Sequence, residues 1–298
     1  MKPLHYIGII FVFLLIVVLR LSPQQHFSKS VPILASPSEE AGEAAPELDK
    51  GRWDSFNVLL LGIDARKDEV SRTDALILAS VNFREGKVKL MSIPRDTRVS
   101  LEGVGHTKIN HAHFLGELKG GSKAGTREAI QAVSNLCRCD INYYLKIDFE
   151  GFEEFVDTLG GIDVELPEPV KLTYAGKTLP AGKQKLDGST ALELVRERES
   201  LKDGDFGRQR NQAMVLKSIA AKAVEPQNLK RLPELVKKLR EEVIDMNFSE
   251  SDLISLAWLV KDLSPKNVSY RQIPGKDGYG LDPLLKREVY YWIADYKP

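Results

Sequence analysis

Short apolar runs alternate with amphipathic segments along most of the chain, and this pattern indicates a fold that mixes strands and helices. Residues 57–63 and 75–81 are continuously apolar, as in strands buried on both faces. Residues 88–93 alternate between apolar and polar positions after a polar turn at 82–86, so the second and third runs predict a β-hairpin. Further strands are predicted at 143–147, 162–166, 268–273 and 289–293, with small strands in the Pro-, Gly- and Lys-rich stretch 167–187.

Between these runs, apolar residues recur at the spacing of a helix face. Asp205 and Ser249 precede two such segments and are good N-caps. Because strands and helices mix throughout and no internal repeat is evident, we predict a single α/β domain over residues 55–298, with a mixed central β-sheet sandwiched between helices. The predicted helices cover 126–136, 149–159, 186–195, 206–224, 232–242 and 249–263.

Residues 1–21 have a different pattern, in which an apolar run from Tyr6 to Leu19 follows a positively charged start. The run is short for a membrane span of ~20 residues, although its flanks extend it. No A-x-A-like cleavage site follows at the usual distance, so we interpret residues 1–21 as an uncleaved signal-anchor transmembrane helix. The alternative is a cleaved signal peptide.

Residues 22–54 carry four prolines and many Ser, Ala and Glu residues, a composition typical of an extended linker. No second apolar span follows, so we expect residues 23–298 to lie on one side of the cell membrane. We predict the extracytoplasmic side. The sequence thus predicts a single-pass membrane protein in which a linker holds a folded domain off the bilayer.

The overall charge is balanced, with 42 Lys and Arg residues against 42 Asp and Glu residues in a chain of 298. General nucleic-acid binding requires a basic excess, so we expect no nucleic-acid partner. Any site for an anion must therefore come from local clustering of charge. A hydrophobic content of 43% is sufficient for a packed core.

Neither the cysteines nor the histidines predict a structural zinc site, which requires four ligands at characteristic spacings. Cys137 and Cys139 are interpreted as small, partly buried side chains, with a local disulfide between them as the alternative. His106, His111 and His113 are close in sequence but lack a fourth ligand. For these histidines we favour a surface loop or polar packing over metal binding.

Arginine–aspartate pairs at the ends of the apolar runs are the most informative polar residues. Arg72 and Asp74 precede the second run, and Arg95 follows the third. In a tight antiparallel pair these positions lie at the same end, which brings Asp74 and Arg95 together. Asp64 follows the first run, and two carboxylates at strand ends suit Mg²⁺ or Mn²⁺. The alternative for each carboxylate is a turn residue or a cap.

A second group of charges lies around the predicted helix at 206–224. Steps of three and four residues place Asp205, Arg208 and Gln212 on one helix face. Arg196 and Arg198 can contact one ligand only if the preceding helix ends between them. The alternative for both segments is a helix terminus with solvated charges.

Lys108 either adds a further positive charge to this set or is simply exposed. Many guanidinium groups with a few carboxylates suit a polyanion such as a pyrophosphate held with a divalent metal. The sequence therefore predicts a site for such a ligand, provided that the fold gathers these residues.

The order and spacing of these segments resemble the LytR-CpsA-Psr family of bacterial cell-envelope proteins. The resemblance runs from residue 56 to about residue 224 and is looser toward the C-terminus. The resembling segments are LLLGIDAR, RTDALIL, LMSIPRDTRV, HTKINHAH, FVDTLGGIDVELP, LDGSTALELVRER and DFGRQRNQ.

The resemblance implies a membrane-anchored phosphotransferase with an apolar pocket for a prenyl chain. Such an enzyme moves a glycopolymer or sugar phosphate from an undecaprenyl pyrophosphate carrier to peptidoglycan and releases undecaprenyl phosphate. It also implies Asp64 and Asp74 as ligands of Mg²⁺ or Mn²⁺. The residues expected to bind the pyrophosphate or to support that binding are Arg72, Arg95, Arg196, Arg198, Asp205, Arg208 and Gln212.

Three departures from the family pattern leave the accessory contacts open. Ala75 stands where Thr is usual, Asn211 stands where an arginine is common, and the pair Gly120-Gly121 comes later than usual. The general base is unassigned, because a carboxylate engaged with metal, such as Asp74, is a poor base. Two alternatives to transfer remain: a polyprenyl-pyrophosphate phosphatase that uses the same arginines, and a non-catalytic envelope regulator that binds polyprenyl phosphates.

Overall fold

The computed structural model describes residues 23–28, 32–33, 54–64 and 70–295. The predicted signal-anchor at 1–21 and most of the predicted linker lie outside these residues. Within the part of the chain that is described, no helix combines the length and the apolar character needed to cross a bilayer.

Strands and helices follow one another in the mixture that the sequence pattern predicts. The strands are β1 Ser55–Ile63, β2 Thr73–Asn82, β3 Lys87–Ser92, β4 Arg98–Leu101, β5 Gly105–Lys108, β6 Tyr143–Ile147, β7 Ile162–Leu166, β8 Val170–Leu172, β9 Lys177–Leu179, β10 Gly182–Leu186, β11 Asp245–Met246, β12 Val268–Gln272, β13 Gly275–Asp282 and β14 Arg287–Ala294. The helices are α1 Pro23–Phe27, α2 Asn110–Cys137, α3 Phe149–Thr158, α4 Gly188–Arg196, α5 Asp205–Ala223, α6 Pro226–Leu229, α7 Leu232–Glu242 and α8 Glu250–Lys261, and a 3-10 turn follows at Pro265–Asn267.

A mixed six-stranded sheet forms the centre of the domain, in the order β11-β6-β1-β2-β3-β12. β1, β2 and β3 pair antiparallel, whereas β6 pairs parallel with β1 and β12 pairs parallel with β3. The C-terminal ends of β1, β3 and β6 and the N-terminal end of β2 therefore lie at the same edge of the sheet. The predicted α/β fold with a mixed sheet is confirmed.

Helices cover both faces of this sheet, as the continuously apolar strands require. On one face, Leu59 of β1 and Leu76 of β2 pack with Val133 of α2. On the other face, Val58 belongs to a cluster that includes Val236 of α7. Each fully buried side chain of this kind contributes about 1.5–3 kcal/mol, so the two faces hold the helix layers in place.

A smaller packing unit lies beside the sheet. β7 pairs antiparallel with β10 rather than with the central sheet, and β8 pairs with β9. Ile162 and Leu186 of the β7–β10 pair are buried with Val156 of α3, Leu194 of α4 and Val215 of α5. The small strands expected within 167–187 are β8, β9 and β10, and the unit fixes α4 and α5 relative to each other.

Helix α2 is longer than the predicted helix at 126–136, because it begins at Asn110. Gly120 and Gly121 interrupt it with non-helical backbone, and Gly121 has a φ of 76°, a conformation that favours glycine. This glycine pair breaks the apolar periodicity of the first half, so the sequence pattern marks only the second half.

The start of α5 also differs from the prediction. Gly204, with a φ of 51°, is the N-cap, and Asp205 is the first residue of the helix rather than its cap. The Asp205 carboxylate instead accepts a hydrogen bond from Gln209 Nε2 at 2.9 Å and pairs with Arg208 at 2.6 Å. Asp205 is therefore available to orient an arginine.

The predicted last strand at 289–293 corresponds to β14, which pairs with β13 in a separate antiparallel hairpin. Sequence reasoning missed β13. Gly275, Gly278 and Gly280 interrupt its side-chain alternation, and glycine-rich strands give a weak pattern.

Part of the predicted linker at 22–54 belongs to the folded domain. The short helix α1 places Phe27 in the core with no exposed surface, and its ring stacks on Phe56 with centroids 4.3 Å apart. His26 Nε2 lies 2.6 Å from Asp252 Oδ1. The prediction of an extended linker therefore does not hold for residues 23–28, because burial of the Phe27 ring outweighs the local bias toward disorder.

Cys137 and Cys139 form a disulfide, with their Cα atoms 5.2 Å apart. This corrects the interpretation of the two cysteines as unbonded side chains. Arg138, between them, has left-handed backbone angles (φ 48°, ψ 47°) as it ends α2. That turn of the chain brings the two sulfur atoms to the same side.

Candidate functional site

A long apolar cavity of about 580 Å³ lies between the central sheet and the helices that cover one of its faces. Leu60 of β1 and Ala79 of β2 line its floor, and Ala220 of α5, Leu239 of α7 and Leu256 of α8 line its roof. An elongated cavity with such walls suits a long hydrocarbon chain, which gains about 25 cal/mol for each Å² of apolar surface that leaves water.

Every charged residue that lines this cavity comes from one edge of the sheet, or from the helix ends that adjoin it. The topology explains this grouping, because β1, β3 and β6 end at that edge and β2 begins there. The charged lining residues are Asp64, Asp74, Arg95, Asp148, Arg196, Arg198 and Arg208. The cavity therefore joins a hydrocarbon-like interior to a charged mouth.

A β-bulge in β2 turns Asp74 toward the cavity. Ala75 pairs with Gly62 and Thr73 pairs with Ile63, so Asp74 is an extra residue in the ladder. Strand alternation alone would place Asp74 on the face of Leu76, which packs toward α2. The bulge instead places Asp74 beside Ala75 in the cavity wall.

Asp74 contacts two arginines at the mouth. Arg95 Nη1 donates to Asp74 Oδ1 at 2.6 Å, as the hairpin geometry predicts. Arg208 Nη2 donates to the main-chain oxygen of Asp74 at 3.3 Å and also lies 2.6 Å from Asp205 Oδ1. Asp74 thus holds two guanidinium groups with different atoms, since its carboxylate accepts from Arg95 and its main-chain oxygen accepts from Arg208.

The arginines of this cluster are partly removed from water. Burial by itself would lower the pKa of Arg95, but the hydrogen bond and the charge of Asp74 outweigh it, so this pKa is raised. Burial lowers the pKa of Arg208, whose side chain is only 8% exposed, and the charge of Asp205 opposes that effect. Arginine remains charged in either case. Charges in such a position interact strongly with an anion because little water screens them.

Arg208 also carries an unsatisfied donor. Its Nε atom is buried and has no hydrogen-bond acceptor in the part of the chain that is described. A buried donor without a partner costs about 1–3 kcal/mol. An anionic oxygen in the mouth of the cavity would remove that cost, so the site fits a phosphate group.

Arg196 and Arg198 line the same cavity because α4 ends between them. Glu197 is the C-cap, with extended backbone angles, as the predicted helix ending requires. The Arg196 guanidinium lies 4.6 Å from the ring centroid of Phe149 and 5.7 Å from that of Tyr174. These aromatic contacts orient Arg196 toward the mouth.

The structure brings together seven of the ten residues predicted for the site. Asp205 lies behind them and contacts Arg208. The seven that line the cavity are Asp64, Asp74, Arg95, Arg196, Arg198, Arg208 and Gln212.

Arg72 and Lys108 do not line the cavity. The exposed Arg72 lies over the ring of Phe114, 4.9 Å from its centroid. Lys108 Nζ donates to Asp96 Oδ1 at 2.6 Å. Within the Arg72-Thr73-Asp74 segment, the bulge places Asp74 in the cavity wall, whereas Arg72 precedes β2 and lies over Phe114 of α2.

Sequence reasoning missed Phe149, Tyr174 and Glu197. The aromatic pair belongs to segments distant in sequence from Arg196, so no local pattern links them to it. Glu197 lies between the predicted site residues Arg196 and Arg198, and this position is a sequence signal that could have indicated its role in the site. Its carboxylate is buried and accepts hydrogen bonds from Thr173 and Ser200.

The carboxylates at the mouth fit a hard divalent cation better than zinc. Among the described residues, no three His, Cys, Asp or Glu side chains form a metal-binding group. Mg²⁺ is commonly held by one or two carboxylates, with water and phosphate oxygens completing its shell. Asp64 and Asp74, which line the same end of the cavity, supply such a set.

The three histidines serve polar packing and a surface loop, as predicted. His106 is exposed. His111 is buried with its Nδ1 2.7 Å from Thr107 Oγ1, and His113 is buried with its Nδ1 3.2 Å from the main-chain oxygen of Ser71. Burial lowers the pKa of both buried histidines, so their uncharged forms are favoured.

Curated relatives of the chain are named as teichoic acid transferases. The polyisoprenyl-teichoic acid–peptidoglycan teichoic acid transferase TagU of Bacillus anthracis is 31% identical over 240 residues, which cover 80% of this chain and 74% of TagU. The transferase TagV of Bacillus subtilis is 31% identical over 254 residues, which cover 80% of this chain and 61% of TagV.

Solved structures share the fold. The crystal structure of Bacillus subtilis TagV has a TM-score of 0.68 at 30% identity, covering 81% of this chain and 91% of that chain. The structure of TagT bound to LIIa-WTA has a TM-score of 0.65 at 30% identity, covering 81% of this chain and 85% of that chain.

These similarities extend over most of the described domain. A family model described as the LytR_cpsA_psr family matches residues 25–297. The match includes all the strands of the central sheet and every residue at the charged mouth. The chain is therefore an enzyme of the transferase class, and it belongs to the LytR-CpsA-Psr family.

Proposed function

We propose that the protein transfers a glycopolymer or sugar phosphate from an undecaprenyl pyrophosphate carrier to peptidoglycan and releases undecaprenyl phosphate. One observation carries this proposal: the apolar cavity opens directly onto the cluster of Arg95, Arg196, Arg198 and Arg208. A lipid pyrophosphate has the same division into a hydrocarbon chain and a concentrated negative charge. The names of TagU and TagV as teichoic acid–peptidoglycan transferases support the choice of donor and acceptor.

The reaction requires stabilisation of charge that moves during bond exchange. The acceptor hydroxyl oxygen attacks the phosphorus that carries the glycopolymer, and the bond from that phosphorus to the oxygen bridging to the prenyl phosphate breaks. The electron pair leaves with the prenyl phosphate, and the hydroxyl proton passes to a base. Arg95 and Arg208 already occupy fixed positions beside Asp74, so they stabilise the leaving phosphate without reorganising.

Asp64 and Asp74 would hold Mg²⁺ or Mn²⁺ in this proposal. A bound divalent cation supplies further neutralisation of the phosphate charge. Asp74 then has two roles, since its Oδ1 atom also accepts the hydrogen bond from Arg95. A carboxylate so engaged is a poor base, so we leave the proton acceptor unassigned.

The proposed location is the cell membrane, with a single anchor and an extracytoplasmic catalytic domain. The predicted signal-anchor at 1–21 supports this location. The Cys137–Cys139 disulfide supports it independently, because disulfides persist mainly in oxidising compartments. An enzyme tethered to the membrane is also confined with its lipid-linked substrate.

A reconstituted assay tests the proposal. The protein is incubated with a polyprenyl-pyrophosphate-linked glycan and Mg²⁺, with and without peptidoglycan glycan fragments. We expect a glycan conjugate and release of polyprenyl phosphate only when the acceptor is present. Phosphate release that ignores the acceptor would indicate a phosphatase, and binding without turnover would indicate a regulator.

Variants at the charged mouth test in the same assay whether the assigned residues take part in transfer. Arg95→Ala and Asp74→Ala should each lower the transfer rate on the order of 10²–10³-fold, by analogy with other fixed charge-stabilising groups. Arg84→Ala is the matched control, since Arg84 is an exposed arginine paired with Asp54 away from the cavity. Full activity of both mouth variants would refute the site assignment.

A further inference from the structure

A row of aromatic side chains lies on the outer face of the β13–β14 hairpin. Asp277 is opposite Trp292, and Tyr279 is opposite Tyr290. Directly opposed residues in an antiparallel pair point to the same face, so the three rings share one surface. Tyr279 is 71% exposed and its ring lies 5.9 Å from that of Tyr290.

Helix α5 extends this row across a groove. The ring of Phe206, in the first turn of α5, lies 5.2 Å from Trp292 in an edge-to-face arrangement. Arg210, one turn further along, lines the groove and pairs with Asp203 at 2.7 Å. We call the surface formed by Phe206, Arg210, Asp277, Tyr279, Tyr290 and Trp292 the aromatic face.

The aromatic face begins beside the arginine cluster. The main-chain N–H of Trp292 donates to the main-chain oxygen of Asp96, at 3.0 Å, and Asp96 directly follows Arg95. Phe206 is two residues from Arg208 in the first turn of α5, a rise of about 3 Å along the helix axis, and the two side chains lie on different sides of the helix. The aromatic face and the charged mouth therefore adjoin each other around the N-terminal end of α5.

The composition of the aromatic face suits a carbohydrate. Pyranose rings present C–H groups that pack on exposed aromatic rings, while their hydroxyl and acetamido groups hydrogen-bond to carboxylates and guanidinium groups. Exposed rings such as Tyr279 contribute little to folding, and contiguous exposed apolar surface often marks a binding site. Tyr290 OH donates to Asp277 Oδ1 at 2.8 Å, which fixes both groups.

The charges on this surface distinguish between two carbohydrate ligands. Arg210 on the aromatic face is paired with Asp203, which adjoins it, whereas Asp277 and Glu288, on the same side of the hairpin, add two further carboxylates. This excess of negative charge repels a phosphate-rich polymer and accepts an uncharged sugar backbone.

We propose that the aromatic face binds the N-acetylated hexosamine backbone of the acceptor glycan and leads its hydroxyl group to the arginine cluster. This inference rests on the proposed function, because it identifies the acceptor side of the same site. The donor, in turn, occupies the apolar cavity on the other side of α5.

Calorimetric titration of the full chain with the β-1,4-linked tetramer of N-acetylglucosamine tests the proposal without any lipid donor. We expect the tetramer to bind and the double substitution Tyr279→Ala with Tyr290→Ala to weaken the Kd about tenfold, through two lost stacking contacts. Tyr290→Phe keeps the ring and should bind nearly as well as the wild type. Trp258→Ala, which removes an exposed ring on α8, is the control.

Transfer kinetics provide the second readout. The double variant should raise the KM for the acceptor about tenfold, and undecaprenyl phosphate binding to that variant checks that it is folded. Failure of the wild type to bind the tetramer at millimolar concentration, or equal binding by the double variant, overturns the proposal. Tighter binding of a glycerol phosphate oligomer than of the tetramer overturns it as well.

Tetramer binding and lipid turnover separate the two proposals. If the tetramer binds as expected but no polyprenyl-pyrophosphate donor reacts, the proposed function fails and the assignment of the aromatic face stands. If transfer proceeds and the tetramer binding is absent, only the aromatic-face assignment fails.

Discussion

Glu197 is a buried carboxylate that fixes the segment between two arginines of the site. It is 1% exposed and accepts hydrogen bonds from Thr173 N–H at 2.6 Å and from Ser200 N–H at 2.9 Å. Burial alone would raise the pKa of Glu197, but these hydrogen bonds outweigh it and the pKa is lowered. The ionised carboxylate is therefore the form that holds Arg196 and Arg198 in position.

We expect Glu197→Gln to lower the free energy of unfolding by about 1–3 kcal/mol at neutral pH, because an amide offers one acceptor oxygen where two were used. Because this pKa is lowered on folding, the carboxylate of Glu197 binds a proton more weakly in the folded protein than in the unfolded chain. The contribution of Glu197 is thus complete above the unfolded pKa of about 4.3 and is lost as the pH falls toward the lower folded value. Urea unfolding of wild type and variant at pH 7 and pH 3.5 measures this difference.

The exposed neighbour provides the control for that measurement. Glu199→Gln should leave the free energy of unfolding unchanged within about 0.5 kcal/mol. A difference between wild type and Glu197→Gln that stays constant from pH 7 to pH 3.5 would contradict the role assigned to the carboxylate.

Among the elements, α2 depends most clearly on a single backbone conformation. Gly121 has a φ of 76°, and a β-carbon built there meets no atom within 4 Å. Gly121→Ala should therefore destabilise the protein by about 1 kcal/mol through backbone strain alone. Thermal or urea unfolding measures this effect, with the exposed neighbour Lys123→Ala as the control. An unchanged or increased stability of Gly121→Ala would show that the kink does not need glycine.

Elements with strong periodicity were predictable, and so was the part of the site that depends on them. The predicted hairpin of β2 and β3 led to the correct prediction that Asp74 contacts Arg95. The predicted end of α4 led to the correct prediction that Arg196 and Arg198 line one cavity. Both follow from local rules of strand pairing and helix termination.

The remaining elements depend on interactions that no local pattern contains. Gly120 and Gly121 interrupt the apolar pattern of α2, so its first half could not be predicted from the sequence. The glycines of β13 interrupt the pattern of that strand in the same way. Phe27 lies in a stretch of linker-like composition, so only its packing on Phe56 reveals that it belongs to the core. Long-range contacts of this kind override local composition.

At the scale of the whole molecule, the cavity between the sheet and α5, α7 and α8 is the feature that the proposed function requires. Filling it should block a prenyl chain. Ala220→Trp places an indole in the cavity wall, whereas Ala221→Trp places one on the exposed side of the same helix. The pair separates loss of cavity volume from the general effect of a large side chain.

We expect undecaprenyl phosphate to raise the Tm of the wild type and of Ala221→Trp, but not of Ala220→Trp. Ligand at 100 times its Kd stabilises a folded protein by about 2.7 kcal/mol, which is readily measured by thermal unfolding. Retention of the full Tm increase by Ala220→Trp would argue that the lipid binds elsewhere.

The extra residue in β2 has a consequence for reading the sequences of relatives. A chain with the same Arg-Thr-Asp letters in which β2 paired with β1 without the bulge would align well and keep its hydrophobic pattern. Its aspartate would nevertheless face α2, on the opposite side of the sheet from the apolar cavity. Inheritance of this chemistry therefore depends on how β2 pairs with β1 as well as on the identity of the aspartate.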